Sequence, residues 1–583
     1  MPQYLAPLRD YRFCLTELFD WPEHRSLSGF EEFSDDVVEA VLNEAGKFSE
    51  SVVFPLNRSG DEEGCTYGNG AVRTPQGFKE AYQLYCAGGW PSLACDPDHG
   101  GQGMPHMVNV LAEEMLGSAN LSFSLYPGLT RGAYVSIAKF ARAEDQALYL
   151  PRLASGEWTG AMCLTEAHSG SDLGLLRTAA VPNGDDSYAI TGTKVFISAG
   201  EHDLTSNIVY LVLARLPDAP KGSRGISLFL VPKFHSDADG RLGARNHVSC
   251  GAIEHKMGIK GSATCVMNFD GAVGWLVGEP HQGLKAMFAM MNAERLAVGV
   301  SGLAVAEASM QTAVVYARQR LQGRAGSGHG DLPADPIIAH ADVRRMLMTQ
   351  RALIEGGRAL AVWVARSLDR SEREPDPARR QEADDFVSLM TPVVKAFLTD
   401  MGSEVANLGM QVLGGHGYIR DNGQEQLVRD VRITQIYEGT NGIQALDLAG
   451  RKLPLDHGRL LRSFFHPLAE YIAASGSERA EFTGPLSEAF GRLQQATSFI
   501  AEYPKETSAA ANDYLHLFAL TAVAYQWARM ADVALLNHGD DFYRAKLSTA
   551  RFYMQRILPR TSALHAAIMA GRGSVMELDE KSF

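Results

Sequence analysis

The chain lacks any cysteine pair in metal-knuckle or redox spacing. Its seven cysteines, at positions 14, 65, 86, 95, 163, 250 and 265 of 583, contain no C-x-x-C and form no regular framework. An odd, scattered set of thiols excludes a disulfide-built scaffold and points to a reducing compartment. Basic charge is also scarce: 54 Lys and Arg stand against 68 Asp and Glu, for a formal charge of −14 with no compensating basic run. A nucleic-acid binder needs a basic face to displace counterions from phosphates, so that class is excluded. No uninterrupted apolar stretch reaches the roughly 18 residues of a membrane span, and no integral membrane segment is expected. Met1–Asp10 has no basic stretch leading into an apolar core, and Glu580–Phe583 is no peroxisomal signal, so a cytoplasmic location is expected. No G-x-G-x-x-G follows a strand pattern, which excludes the nicotinamide type of dinucleotide fold. Gly323, Gly326, Gly328 and Gly330 cluster after a helical pattern instead and read as a flexible loop. No metal site is expected.

What is present is an ordinary globular composition, 45% hydrophobic and 21% charged, long enough for about three or four domains. From Asp35 the pattern is helical, with Val37, Val41, Leu42, Val108, Val110, Leu111 and Met115 at three- and four-residue spacing. Asp96–Gly103 interrupts it with a loop. The period then shortens. Ile208–Leu213 and Ile226–Val231 are β-branched runs bounded by turn residues, and Asn183–Gly184 reads as a hairpin turn. Helical periodicity returns from Gly283 to Arg320, through Val343–Leu368 and from Ala383 to Leu413, with the charged, proline-bearing Asp369–Arg380 as an exposed loop between helices. A last stretch carries Leu515, Phe518, Val523, Leu547, Met554, Ile557 and Leu558 in helical register. The expected fold is α+β, mainly α: an extension over 1–34, a helical domain over 35–160, a middle antiparallel β-domain over 161–280, a helical domain over 281–453 and an additional helical domain over 454–583.

Three segments carry chemistry. Gln435–Gly442 sets one carboxylate, Glu438, before a Gly-Thr turn; alone it reads equally as a helix end with a glycine cap or as a proton-abstracting base. Met162–Asp172 and Gln411–Tyr418 lie upstream. In this order the three resemble the acyl-CoA dehydrogenase family of flavoenzymes over about residues 35–453. Met1–Asp20, Ile197–Asp203 and the extra C-terminal domain look most like a bacterial subgroup that includes 3-methylmercaptopropionyl-CoA and fatty acyl-CoA dehydrogenases.

The resemblance implies non-covalent FAD, an acyl-CoA substrate, electron-transferring flavoprotein as the electron acceptor, and a homodimer. It places Met162, Leu164 and Thr165 on the flavin, with Ala167 where the family usually has proline, which puts the loop's rigidity in doubt. Thr191–Gly200 is similar to the family's second flavin strand, with Phe196 where a tryptophan commonly packs on the ring and Ser198 near its N5. Arg320 stands for the arginine that reaches the pyrophosphate in the adjacent protomer, although Arg318 and Arg324 lie close by. Gln411, Gly414 and Gly415 are implied at the adenosine end and Thr440 at the cofactor, while Ser171, Asn292, Arg295 and Gly439 would face substrate. The implied reaction is α,β-dehydrogenation of a medium- or long-chain fatty acyl-CoA in β-oxidation, or of 3-methylmercaptopropionyl-CoA, with Glu438 as base. The enolate oxygen would be held by a flavin ribityl hydroxyl and the base's own backbone N–H. Some members carry the base immediately before the arginine of the substrate helix, the position of Glu294. With two carboxylates competing for one role, Glu438 is the expected base and Glu294 is expected to turn toward Arg295 or solvent. An oxidase or a monooxygenase of the same fold, and an inactive helical scaffold, are the alternatives.

Overall fold

The computed structural model of the chain describes residues 3–325, 332–537 and 539–583, so Gly326, Gly328 and Gly330 of the glycine cluster lie outside the described residues. The chain divides into two compact units, one built from 1–46, 105–118 and 298–583 and the other from 47–104 and 119–297. All seven cysteines are free thiols.

The second unit holds a seven-stranded sheet. Asn207–Arg215 and Ile226–Pro232 contain the two β-branched runs and are buried along almost their whole length, which marks strands covered on both faces. The hairpin at Asn183–Gly184 is a four-residue loop between Ala179–Pro182 and Ser187–Ser198, closed by Asn183 N–H donating to the Ser187 carbonyl at 2.9 Å. The sheet is not wholly antiparallel. Trp158–Cys163 runs parallel to Asn207–Arg215 through six residue pairs, because the long chain between them, hairpin included, supplies the crossover that parallel strands require. The Asp96–Gly103 loop is as expected, a single turn of 3₁₀ helix with Gly100 and Gly103 at positive φ.

Glu166 and Lys194 form a buried charged pair inside this unit. Glu166 accepts from Lys194 Nζ at 2.9 Å, from the Thr178 hydroxyl at 2.6 Å and from the backbone N–H groups of Arg177 and Thr178 at 2.8 and 3.0 Å. Burial pushes this carboxyl up, but Lys194 and the hydrogen bonds outweigh it and hold the carboxyl at about 2.

The other unit is helical. Gly283–Gln319, from Val298 onward, packs with Ala341–Arg373 and Pro377–Leu413, and the additional C-terminal helices, chief among them Thr507–Leu536, belong to the same unit. Helix Gly283–Gln319 has the length and apolarity of a membrane span, yet 72% of its most apolar window is buried in the protein. Gly302 is required where helices cross: a Cβ there would lie 2.5 Å from the Leu398 carbonyl. The predicted C-terminal stripe, Leu515 to Leu558, is buried throughout.

Two expectations are corrected. The break between the long helices is Glu374–Asp376 only, with Asp376 capping the next helix, and Asp369 is buried, 3.0 Å from His24 Nε2 and accepting the N–H groups of His106 and Met107. A charged residue read as loop is thus the N-terminal anchor of helix His106–Ala119. Helix Asp35–Phe48 buries Val38, Leu42 and Ala45, which leaves Val37 off the stripe and exposed.

Arg358 is buried in this unit, 1% exposed. It donates to Asp10 at 2.5 Å, Glu114 at 2.5 Å and Glu307 at 2.6 Å, and its guanidinium stands 5.0 Å from the Tyr11 ring. Lys546, from helix Asp541–Phe552, bridges Asp10 and Glu355. Burial pushes the Asp10 carboxyl up, but Lys546 and Arg358 overcome this and hold it at about 2.

Arg358→Met keeps an unbranched side chain but takes the guanidinium from Glu114 and Glu307 and leaves Asp10 with Lys546, so it should destabilise the helical unit by about 3–5 kcal/mol, read as a lower urea midpoint. The Glu166 pair gives a pH signature. Because its folded value of about 2 lies below the ordinary 4.5, its stabilisation is complete above pH 4.5 and is lost as pH falls toward 2. The stability gap between wild type and Glu166→Gln should therefore narrow as urea titrations move from neutral pH to about pH 3; a gap independent of pH would contradict the assignment.

Candidate active site

The residues singled out from sequence fall into two sets, one in each unit. In the sheet-bearing unit, the loop Leu164–Asp172 follows strand Trp158–Cys163. Its rigidity does not depend on a proline at Ala167. Glu166 and Ser169 exchange backbone hydrogen bonds at 2.9 and 3.0 Å around that residue, the Ser169 hydroxyl donates to the Asp172 carbonyl at 2.7 Å, and the Glu166 side chain is pinned as described. Lys194 Nζ also donates to the Leu164 carbonyl at 3.0 Å, and Val195 N–H to the Thr165 carbonyl at 2.9 Å. These bonds bring Leu164 and Thr165 beside the strand that bears Phe196 and Ser198. Met162 is half-buried near the strand end, and Ser171 is exposed in the loop.

Phe196 is the conspicuous member of this set. It sits at a shift of strand register between the Lys194–Met267 and Ile197–Cys265 pairs, at φ +60°, with its side chain out of the core and 63% exposed. A bulge re-aims a side chain, and a left-handed non-glycine residue is held at a cost of about 1–3 kcal/mol. A large aromatic face bared in this way suits a planar partner such as an isoalloxazine ring.

On the first turns of Gly283–Gln319, Asn292 is exposed and lies 3.3 Å from Arg295 Nη1, which donates to its Oδ1. Glu294 and Arg295 are each 5% exposed. Glu294 does not turn to solvent. Its Oε1 lies against Gly132, where an added Cβ would come within 2.4 Å, so a side chain at that position would collide with the carboxylate.

In the helical unit, Glu438 belongs to no helix. It follows the 3₁₀ turn Arg432–Gln435 with φ +57°, Gly439 follows at φ +81°, and the Thr440 hydroxyl caps helix Asn441–Leu446 by accepting from Ile443 N–H at 3.3 Å. The glycine-cap reading of this octapeptide is thereby set aside. Two successive left-handed residues are stabilised through their carbonyls: Gln444 Nε2 donates to Glu438 O at 3.0 Å and to Gly439 O at 3.3 Å, and fully buried Lys395 donates to Gly439 O at 2.8 Å. Lys395 also donates to Asn441 Oδ1 at 2.8 Å. Sequence reasoning missed Lys395, Asn441 and Gln444. Asn441 and Gln444 stand within six residues of Glu438, but Lys395 lies in another helix, and only the fold brings it to the turn.

Gln411 is exposed in the last turn of Pro377–Leu413, and its carbonyl accepts the N–H of Gly414, whose φ is +59°. Gly414 and Gly415 are exposed, and a Cβ on either would meet nothing within 4 Å, so their backbone is open to close approach. Among the nearby arginines, Arg324 is committed to its own loop, donating to Asp335 at 3.2 Å and to the Leu332 carbonyl at 2.6 Å, whereas Arg318 and Arg320 are exposed. Within the sheet-bearing unit the exposed Phe196 ring suits an isoalloxazine, and within the helical unit the open Gly414–Gly415 backbone and exposed Arg320 suit the diphosphate and adenosine of a dinucleotide.

Four family models match in chain order: the N-terminal domain of acyl-CoA dehydrogenase over 37–157, the middle domain over 161–272, the C-terminal domain over 281–453, and an acetyl-CoA dehydrogenase C-terminal-like domain over 464–579. The chain is 43% identical to 3-methylmercaptopropionyl-CoA dehydrogenase of Ruegeria pomeroyi, covering 97% of this chain and 98% of that one. It is 32% identical to a broad-specificity linear acyl-CoA dehydrogenase of Mycobacterium tuberculosis over the full length of both. An acyl-CoA dehydrogenase from Bacillus anthracis, solved with FAD, superposes with a TM-score of 0.75 at 20% identity, covering 96% of this chain and 91% of that one. With four domain models in order and a full-length relative above two-fifths identity, the chain belongs to the acyl-CoA dehydrogenase family of FAD-dependent oxidoreductases.

Proposed function

We propose that the protein converts a saturated acyl-CoA to its trans-2-enoyl-CoA with Glu438 as the base that takes the Cα proton. The observation that carries this reading is the turn at Glu438. Left-handed backbone at a glutamate is unfavourable by about 1–3 kcal/mol, and strain of that kind concentrates where a side chain must be aimed. Lys395 and Gln444 fix the turn through its carbonyls, so the backbone from which the Glu438 side chain projects is held in place. A thioester α-proton is too weakly acidic for a carboxylate in water, so the enolate oxygen needs donors. The Glu438 N–H supplies one of them, and Gly439 lies beside the thioester. Bound FAD supplies the acceptor for the β-hydrogen as hydride. Phe196 gives its ring a packing face, Thr165 and Ser198 give hydroxyl donors, and Met162, Leu164 and Thr440 complete the contact. Ser171 serves the pantetheine arm, and Asn292 and Arg295 serve the substrate.

Arg320, Gln411, Gly414 and Gly415 bind the diphosphate and adenosine of a flavin begun by a second copy of the chain, making the enzyme a homodimer. Their exposure in the single chain supports this assignment. Electron-transferring flavoprotein takes the electrons onward.

The 43% identical relative favours a short acyl chain, 3-methylmercaptopropionyl, over the medium or long fatty acyl chain implied by the wider subgroup. The Mycobacterium tuberculosis relative, named for linear acyl-CoAs in general, favours testing the whole length series. A screen of saturated acyl-CoAs from butyryl upward, with 3-methylmercaptopropionyl-CoA included, should give its highest kcat/KM at the short end; a maximum at long chains would return the assignment to fatty acyl-CoA.

Glu438→Gln keeps the side-chain shape without the base. It should stay yellow and bind acyl-CoA, yet show no anaerobic flavin bleaching on rapid mixing, whereas Glu294→Gln should retain substantial bleaching. The reverse pattern would move the base to Glu294, and loss in both would make the carboxylates a coupled pair. Arg320→Ala should lower FAD content more than it lowers the melting temperature, and sedimentation should give a dimer. A fully active, FAD-saturated monomer would defeat the shared-site assignment.

A further inference from the structure

The network behind the Glu438 turn does not stop at Lys395. Asn441 Nδ2 donates to Asp400 Oδ1 at 2.8 Å, to the Thr399 hydroxyl at 2.9 Å and to the Ala396 carbonyl at 3.1 Å. Gln435, three residues before Glu438, donates its Nε2 to the same Asp400 Oδ1 at 2.5 Å. Asp400 therefore holds both flanks of the turn with one oxygen. Its other oxygen, Oδ2, lies 3.0 Å from Nε2 of His516. A carboxylate with two amide donors on one oxygen needs its second oxygen fixed as well, or it rotates and the two flanks move independently. His516 is on Thr507–Leu536, the longest helix of the additional C-terminal domain. That helix packs directly on Asn441–Leu446 and on Pro377–Leu413. The His516 ring also lies edge-on to Phe397, at 6.1 Å between centroids, which limits its rotation.

We propose that His516 of the C-terminal domain is a positioning residue for the dehydrogenation, acting through Asp400 on Gln435 and Asn441 to hold the Glu438 turn. This rests on the reading of Glu438 as the base. Burial pushes the Asp400 carboxyl up, but the hydrogen bonds from His516, Gln435 and Asn441 outweigh it and keep the group below the usual carboxylate range, so it stays an acceptor for all three. The appended domain thereby contributes a contact to the catalytic loop as well as packing to the unit. The minimal three-domain segment, which ends near 453, contains Glu438, Lys395 and Asp400 but not this histidine.

The test compares His516→Phe, His516→Gln and Asp400→Asn in the full-length FAD-loaded enzyme. Phe keeps the packing against Phe397 and removes the donor; Gln returns a donor amide to Asp400. His516→Phe should keep its FAD and its melting temperature while anaerobic flavin reduction by acyl-CoA slows by roughly 10-fold with KM little changed, as expected for a misaimed base. His516→Gln should recover most of the rate, and Asp400→Asn should match Phe. In the double variant His516→Phe/Asp400→Asn the losses should combine to less than their product, because both act on one path. A wild-type rate in His516→Phe overturns the proposal, as does a loss that Gln does not recover or losses that multiply in full. If His516→Phe proves unstable, recovery by Gln together with slow reduction in FAD-loaded Asp400→Asn still decides for it, and a normal rate in Asp400→Asn decides against. Glu438→Gln run alongside separates the two readings: no reduction there with normal reduction in His516→Phe removes the positioning role alone, while reduction persisting in Glu438→Gln removes the base assignment itself.

Discussion

A guanidinium taken out of water sets the terms on which the helical unit holds together. Arg358 is buried among Asp10, Glu114 and Glu307, with Lys546 and Glu355 extending the set. Desolvating these groups costs several kcal/mol per ion, and the outlay is recovered only when every partner is in place. The partners come from the N-terminal segment, from helix His106–Ala119, from the two long central helices and from the C-terminal domain. Docking of any one of these elements in the wrong register would leave a bare charge in a dry interior. The network therefore favours a single arrangement of five elements more strongly than apolar packing alone, which tolerates repacking.

Left-handed backbone occurs at ten of the described non-glycine residues, and two of them bear on the site. Phe196 and Glu438 both adopt left-handed backbone. Each is over-determined by its surroundings: Phe196 by the strand register on either side of it, and Glu438 by the grip of Lys395 and Gln444 on the two turn carbonyls. The same logic runs through the Leu164–Asp172 loop, where Glu166 collects four hydrogen bonds and makes a proline at Ala167 unnecessary. At the Glu438 turn and in the Leu164–Asp172 loop, buried polar groups hold the geometry of segments that are exposed or half-buried.

The sequence by itself determined the order of helix, strand and helix, the buried stripe of the C-terminal helices and the identity of the motif segments, because period and turn chemistry are local properties of a chain. Its misreadings were local as well. Asp369 sits in a charged, proline-bearing stretch that reads as loop, and Val37 is one residue off the buried stripe of its helix. Tertiary structure alone decided which charges meet. Asp10, Glu114, Glu307, Arg358 and Lys546 have no mutual spacing that any pattern could pick out, and neither do Asp400 and His516 or Lys395 and Gly439. It also decided that Glu294 is buried against Gly132 and that the Phe196 ring faces outward. A side chain's partner across the fold is chosen by desolvation and hydrogen-bond geometry after the helices have packed, and those terms act between residues that the sequence leaves far apart.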